Sequence, residues 1–142
     1  MKKFVIATLI VGVSCGPLLA RIGERADDID NAYGDVVERR LLDDGSLNIV
    51  YHSGSYLYSV TFANGRSVLE RYSRFNGRGL SRKEIDKFLK ANAGGATWTL
   101  SDASGQRFKR SDGAAEAAYS EVSGRLALTV RQLRADRGGR EQ

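Results

Sequence analysis

His52 is the single histidine of the chain, so any Ser-His-Asp relay would have to run through it. Ser53 stands beside it, but a triad needs a base held by a third group and a nearby oxyanion hole. The local sequence argues for neither, and His52 reads as an exposed residue at a strand end. The single cysteine, Cys15, sits near the N-terminus. That leaves one imidazole and no thiol beyond it, which excludes zinc ligation of the usual kind. Asp27, Asp28 and Asp30 cluster, but the calcium loop with its terminal Glu is missing. Gly77-Arg78-Gly79 lacks the rest of either phosphate-loop pattern. Paired carboxylates for glycoside chemistry could lie far apart in sequence, and nothing singles out such a pair. No metal or cofactor is expected.

What remains is an interleaving of aromatic and basic residues from Tyr51 to Phe75, with Arg66, Arg71, Arg74 and Arg78. Such interleaving can bind single strands by stacking and charge. The tyrosines, however, fall at strand spacing and suit a half-buried sheet. The N-terminus argues for export, where nucleic acid is rarely met, so no nucleic-acid partner is expected. The lone Arg137-Gly138-Gly139 does not change that. The expected use is a protein-binding face of one sheet built from Tyr51, Tyr56, Tyr58, Arg71 and Tyr72, since aromatics and arginine suit interfaces when exposed.

The elements that must position these residues follow from periodicity. Glu24 to Tyr33 reads as a short helix, with acidic residues in its first turns where the helix dipole favours them. Ala26, Ile29 and Tyr33 form its apolar stripe, and Gly34 ends it. The period then changes to two, giving strands over 36–42, 47–52, 56–63 and 66–73. Asp44-Gly45, Ser53-Gly54 and Asn64-Gly65 are the turns between them, the last being the strongest short hairpin signal. Ser81 and Glu84 have capping-box spacing at the head of a second helix, with Ile85, Phe88 and Leu89 as its buried stripe. Four more strand-like runs follow: 97–100, 106–109, 114–119 and 125–133. They are broken by Ser104-Gly105, Asp112-Gly113 and Ser123-Gly124. The fold class is therefore α+β: an antiparallel meander sheet with two helices packed against it.

The first residues have a different character. Lys2 and Lys3 precede the uncharged, mostly apolar run Phe4 to Val13. That run is too short to span a bilayer and suits the middle of a secretory signal. Gly16 and Pro17 break it ahead of a cut between Ala20 and Arg21, so residues 1–20 are expected to be removed on export to the periplasm or the outside. An alternative places a lipid anchor on Cys15, after Val13-Ser14, although Gly12 stands where a Leu-like residue is wanted. Loss of Lys2 and Lys3 from 22 Lys+Arg leaves 20 against 17 Asp+Glu, which lowers the formal charge from +5 to +3. No disulfide is then available despite an oxidising destination, and no second membrane segment is apparent. Residues 21–133 form the expected domain, and the basic tail 134–142 is expected to be disordered.

The turn glycines hint at internal duplication. Gly34, Gly45, Gly54 and Gly65 reappear as Gly94, Gly105, Gly113 and Gly124, at offsets of 60, 60, 59 and 59 residues. With 16 glycines in the chain, chance spacing is the competing explanation. A duplication would make each half, 22–75 and 80–133, one helix followed by four strands. Pairing two such units would enlarge a core that neither could build alone.

Ile22-Gly23-Glu24, an acidic helix with Ile29, and the Tyr33-Gly34 exit resemble the opening of SmpA/BamE-like domains, small envelope modules with helix-then-sheet order. Val36 stands where that family's proline is expected. The same general fold occurs twice in tandem in β-lactamase-inhibitor-type proteins. The chain also looks like a group of small exported bacterial proteins of unknown function, through Tyr33-Gly34, Asn92, Gly95, Trp98, Arg110-Ser111-Asp112-Gly113, Ala117 and Tyr119. The resemblances bring no activity with them; the lack of catalytic parts, together with the aromatics at strand spacing, points to an exported, non-enzymatic protein-binding or structural module. The alternatives are an inhibitor of a secreted hydrolase and a hydrolase using His52 or a carboxylate pair.

Overall fold

A computed structural model describes residues 21–133. The expected leader with Ala20 and Cys15, and the tail 134–142, lie outside the described residues. The elements run α1 (Ala26–Tyr33), β1 (Asp35–Leu41), β2 (Leu47–Ser53), β3 (Tyr56–Ala63), β4 (Arg66–Arg74), α2 (Arg82–Ala91), β5 (Trp98–Leu100), β6 (Arg107–Arg110), β7 (Ala115–Val122) and β8 (Arg125–Gln132). The strands form one antiparallel eight-stranded sheet in the order β1-β2-β3-β4-β8-β7-β6-β5. Each group of four is a meander of sequential hairpins. The two groups join through β4 and β8, where Arg71 lies opposite Thr129 and Tyr72 opposite Leu128.

The first helix is shorter than its sequence pattern suggests. Glu24 and Arg25 are drawn into extended pairing instead. The Glu24 carbonyl accepts from Ser67 N–H at 2.8 Å, Gly23 N–H donates to the Ser67 carbonyl at 2.9 Å, and Arg25 bridges Arg66. Asp27 and Asp28 still occupy the first helical turn, where the dipole favours them.

Both helices cover the same face of the sheet. Alternation carries two cross-strand rows to that side: Ile49, Val60, Glu70, Val130, Ala117 and Phe108 in one, and Tyr51, Tyr58, Tyr72, Leu128 and Tyr119 in the next. From α1, Ile29 and Tyr33 pack down on these rows, and Tyr33 stacks on Tyr58 with centroids 4.0 Å apart. From α2 come Ile85, Phe88 and Leu89. Phe88 stacks on Tyr72 at 4.4 Å and meets Tyr56 edge-on at 5.2 Å. The second helix therefore leans over β3 and β4 of the first meander.

The start of α2 is fixed as its sequence suggests. Ser81 Oγ accepts from Glu84 N–H at 3.2 Å, and Glu84 accepts from Ser81 N–H at 2.7 Å. The same carboxylate accepts from the Tyr56 hydroxyl at 2.6 Å and pairs with Arg74 at 2.7 Å. Burial pushes the Glu84 pKa up, but the bonds from Tyr56, Ser81 and Arg74 outweigh it and hold the carboxyl at about 2. Ser81→Ala is expected to cost about 1 kcal/mol, the usual loss for an N-cap. Glu84→Ala is expected to lower the melting temperature further, because it also frees Tyr56 and Arg74. Thermal melts of the two variants order the effects.

Candidate functional site

The five residues expected to share one recognition face do not share it. Tyr51, Tyr58 and Tyr72 are buried beneath the helices. Tyr56 lies on that side too, half-buried, with its hydroxyl on Glu84. Arg71 alone points to the other side. Its neighbour in sequence is Tyr72, and successive strand residues face opposite ways, so the tyrosine-and-arginine face divides into a tyrosine core and an arginine surface.

The tyrosine side is a sealed polar network. The Tyr51 hydroxyl donates to Asp30 of α1. The Tyr72 hydroxyl donates to Glu70 and accepts from Asn92 Nδ2 at 2.8 Å. Asn92, at the end of α2, also donates to the Phe88 carbonyl at 2.9 Å, and its Oδ1 accepts from Ile22 N–H at 2.8 Å. This one side chain thus ties α2, β4 and the N-terminal segment together. Burial raises the phenols of Tyr33, Tyr51 and Tyr72 and pushes Tyr58 up to about 12. Burial also lifts Glu70 to about 7, against the Tyr72 hydrogen bond and with help from Glu24. Its Oε1 has no hydrogen-bond partner among the described residues. A carboxyl of that acidity resembles a general acid or base, but Glu70 is 0% exposed, beneath the helices.

The remaining candidates separate as well. His52 is half-buried at a strand end, stacked on Phe75 at 4.1 Å, with Nε2 3.0 Å from the Gly54 carbonyl. Neither contact makes it part of a relay. Among the described residues, no group of three or more His, Cys, Asp or Glu could hold a metal ion, and no helix is long and apolar enough to cross a membrane. Arg21 is exposed and pairs with Glu24 at 3.3 Å, and its carbonyl accepts from Ser67 Oγ at 3.2 Å.

The surface that remains is the far side of the sheet, which no described helix covers. Two rows cross it: Asn48, Thr61, Leu69, Arg131, Glu116 and Lys109, then Val50, Ser59, Arg71, Thr129, Ala118 and Arg107. Asn48 Nδ2 donates to Ser59 and Thr61 at 3.0 and 3.2 Å, which locks that corner. By strand alternation the cations on this side are Arg40, Arg71, Arg107, Lys109, Arg125 and Arg131, against Asp35, Glu38 and Glu116. Arg71 lines a shallow depression of about 350 Å³ beside Leu57 and Arg125, and a second of about 330 Å³ lies further along the face beside Glu116, Thr129 and Arg131. Arg71 Nε donates to Thr129 Oγ1 at 3.3 Å, and no carboxylate pairs with it among the described residues. Burial, then the nearby Arg131, lowers the guanidinium pKa.

Sequence reasoning passed over Glu70 and gave Asn92 no part in the site. Both carried a signal: Glu70 holds an inward position two residues before Tyr72, and Asn92 continues the stripe of Ile85, Phe88 and Leu89. Comparison with family models, curated proteins and solved structures finds no match for the chain.

Proposed function

We propose that the chain is a non-enzymatic protein-binding module that docks an acidic protein surface on the open face of its sheet. The observation that carries this reading is Arg71, a half-buried guanidinium at the centre of that face, stripped of part of its hydration and without a carboxylate partner among the described residues. A partner carboxylate would supply the missing counter-charge through a charge-assisted, bidentate hydrogen bond, and the surrounding cations would steer the encounter. Export to the periplasm or the cell exterior, with loss of residues 1–20, belongs to the same proposal. It rests on the Lys2-Lys3 and Phe4–Val13 pattern.

Arg71→Glu is expected to weaken partner binding by at least about tenfold, as charge reversal in an interface does, with the melting temperature nearly unchanged because Arg71 contributes a single long bond to Thr129. Photo-cross-linkers placed at Ser59, on the open face, and at Lys83, on the exposed side of α2, check this in the exported fraction. A partner captured from Ser59 and lost in Arg71→Glu supports the reading. Capture from Lys83 alone, or capture that survives the reversal, contradicts it.

We further infer that the sheet is a tandem repeat of helix plus four strands. The positions 59 residues apart, Asn64 and Ser123, are the two non-glycine residues with positive φ among the described residues, 54° and 52°, and each precedes a turn glycine of positive φ. The spans of β3 and β7 differ by 59 at both ends. The pairs Glu70–Val130 and Arg71–Thr129 exchange under the same offset, as a two-fold relation between duplicated halves requires. Two such halves give a single docking face wider than either alone.

A further inference from the structure

We propose a second docking site, at the β5 edge of the sheet, that takes an extended apolar peptide segment with a carboxylate at its C-terminal end. Because α2 leans over β3 and β4, the helix side of β5 and β6 is left as a groove of about 470 Å³ between α2 and the sheet end, floored by Leu89, Trp98, Leu100 and Phe108. Leu100 is 52% exposed there, and the indole N–H of Trp98 is buried in the groove wall without an acceptor among the described residues.

The groove and the free edge are aligned. Ser101 N–H donates to the Arg107 carbonyl and Ser111 N–H to the Thr97 carbonyl, while Thr99 lies opposite Lys109. Thr97, Thr99 and Ser101 thus turn their backbone groups toward β6. In an antiparallel ladder the alternate residues, Trp98 and Leu100, present theirs to the open edge. Their side chains lie on the groove side. A strand added beside β5 would hydrogen-bond these two residues and place its own alternate side chains over the groove, the β-augmentation mode.

The two sheet edges differ in how they meet such a strand. On β1 there is a bulge between Val36 and Glu38 and the charged run Glu38-Arg39-Arg40, both devices that discourage pairing. Trp98-Thr99-Leu100 has neither. Charge sets the direction of the occupant. Arg82 is paired with Asp86 at 3.2 Å, whereas Lys90, exposed at the groove end where β5 begins, has no ion-pair partner among the described residues. An antiparallel added strand ends at Lys90, so its terminal carboxylate or a final acidic residue meets that ammonium. A second copy of this chain fits less well: a three-residue edge buries far less than the roughly 1,000 Å² that a specific interface needs.

Trp98 is the single tryptophan of the chain, so its emission reports the groove directly. The probe is an N-acetylated six-residue peptide alternating valine and threonine and ending in aspartate with a free carboxylate, titrated into the full chain. A saturable shift in Trp98 emission is expected. It should weaken at least tenfold in Leu100→Pro, which deletes an edge-facing N–H while leaving the bonds to β6, and severalfold in Lys90→Glu. Lys90 is an exposed helix position, so that variant decides the matter if Leu100→Pro folds poorly. Absence of a shift at millimolar peptide, equal binding by Lys90→Glu, or an emission shift that follows protein concentration without peptide would overturn the proposal, the last in favour of a second copy at the edge. Arg71→Glu should leave the titration unchanged, which separates this site from the open sheet face.

Discussion

Raising the pH from about 5 to about 8 is expected to remove roughly 3 kcal/mol from the stability of the fold, and Glu70→Gln is expected to abolish most of that loss. Unfolded, the Glu70 carboxyl titrates near the model-compound value of 4.5; folded, burial holds it at about 7. A raised folded pKa means that the native state binds the proton more tightly than the unfolded chain. The stabilisation is therefore complete below about 4.5 and is lost as the pH rises through about 7. The distance between the two values corresponds to roughly 3 kcal/mol at about 1.4 per pH unit. The groups facing Glu70 are Tyr72 on its own strand, Tyr51 on β2, Tyr33 from α1 and Glu24 from the N-terminal segment. The phenols stay neutral through this range, and Glu24 adds repulsion when Glu70 ionises. Glutamine keeps an acceptor for the Tyr72 hydroxyl and removes the charge, so its curve should be flatter. The variant should be the more stable protein at about pH 8 and nearly equal at about pH 5. Urea denaturation across that range, read as the difference between the two proteins, measures it. Parallel curves would mean that folding leaves the Glu70 pKa at its unfolded value, and that burial does not raise it.

Phe88→Ala is expected to destabilise by roughly 3–5 kcal/mol, the usual range for an aromatic truncated in a packed core. Domains of this kind have only about 5–15 kcal/mol to lose. Phe88 is 0% exposed, stacks on Tyr72, and meets Tyr56 and Tyr58 edge-on with centroids 5.2 and 6.3 Å apart. Truncation opens a void between α2 and three strand tyrosines and loosens Asn92, four residues on, whose side chain bonds both the Phe88 carbonyl and Tyr72. Leu41→Ala, on the outermost strand and exposed, should change stability by less than about 0.5 kcal/mol. Denaturant midpoints of the two variants compare them. A cost below about 1 kcal/mol for Phe88→Ala would mean that α2 is not seated on the first meander.

Local features were the legible ones. Asn64-Gly65 is a tight turn with φ of 54° and 76°, and the Ser81–Glu84 box caps α2 with both of its bonds. These depend on residues within four positions of one another, where sequence and geometry are tightly coupled. The central pairing of β4 with β8 joins residues about 60 positions apart, and neither strand carries a residue that selects the other. Alternation also states which residues share a face without stating which face the helices cover. For Tyr51, Tyr58 and Tyr72, aromatic character suits an interface and a core equally, and the choice fell to the positions of α1 and α2. Arg71 was separable from Tyr72 by strand period alone. The free β5 edge depends on the lean of α2, set by Phe88 against the first meander, and no short motif encodes that.

Hydroxyl-radical footprinting of the native protein tests most directly whether one face of the sheet is sealed and the other open. Leu57 and Leu69 lie on the open side, next in the strands to residues turned inward. They are expected to be oxidised readily, while Tyr58, Tyr72 and Phe88 stay protected until the protein unfolds. Oxidation of Tyr58 and Tyr72 in the native state at rates matching Leu57 would contradict the arrangement, and with it the assignment of docking to the Arg71 side.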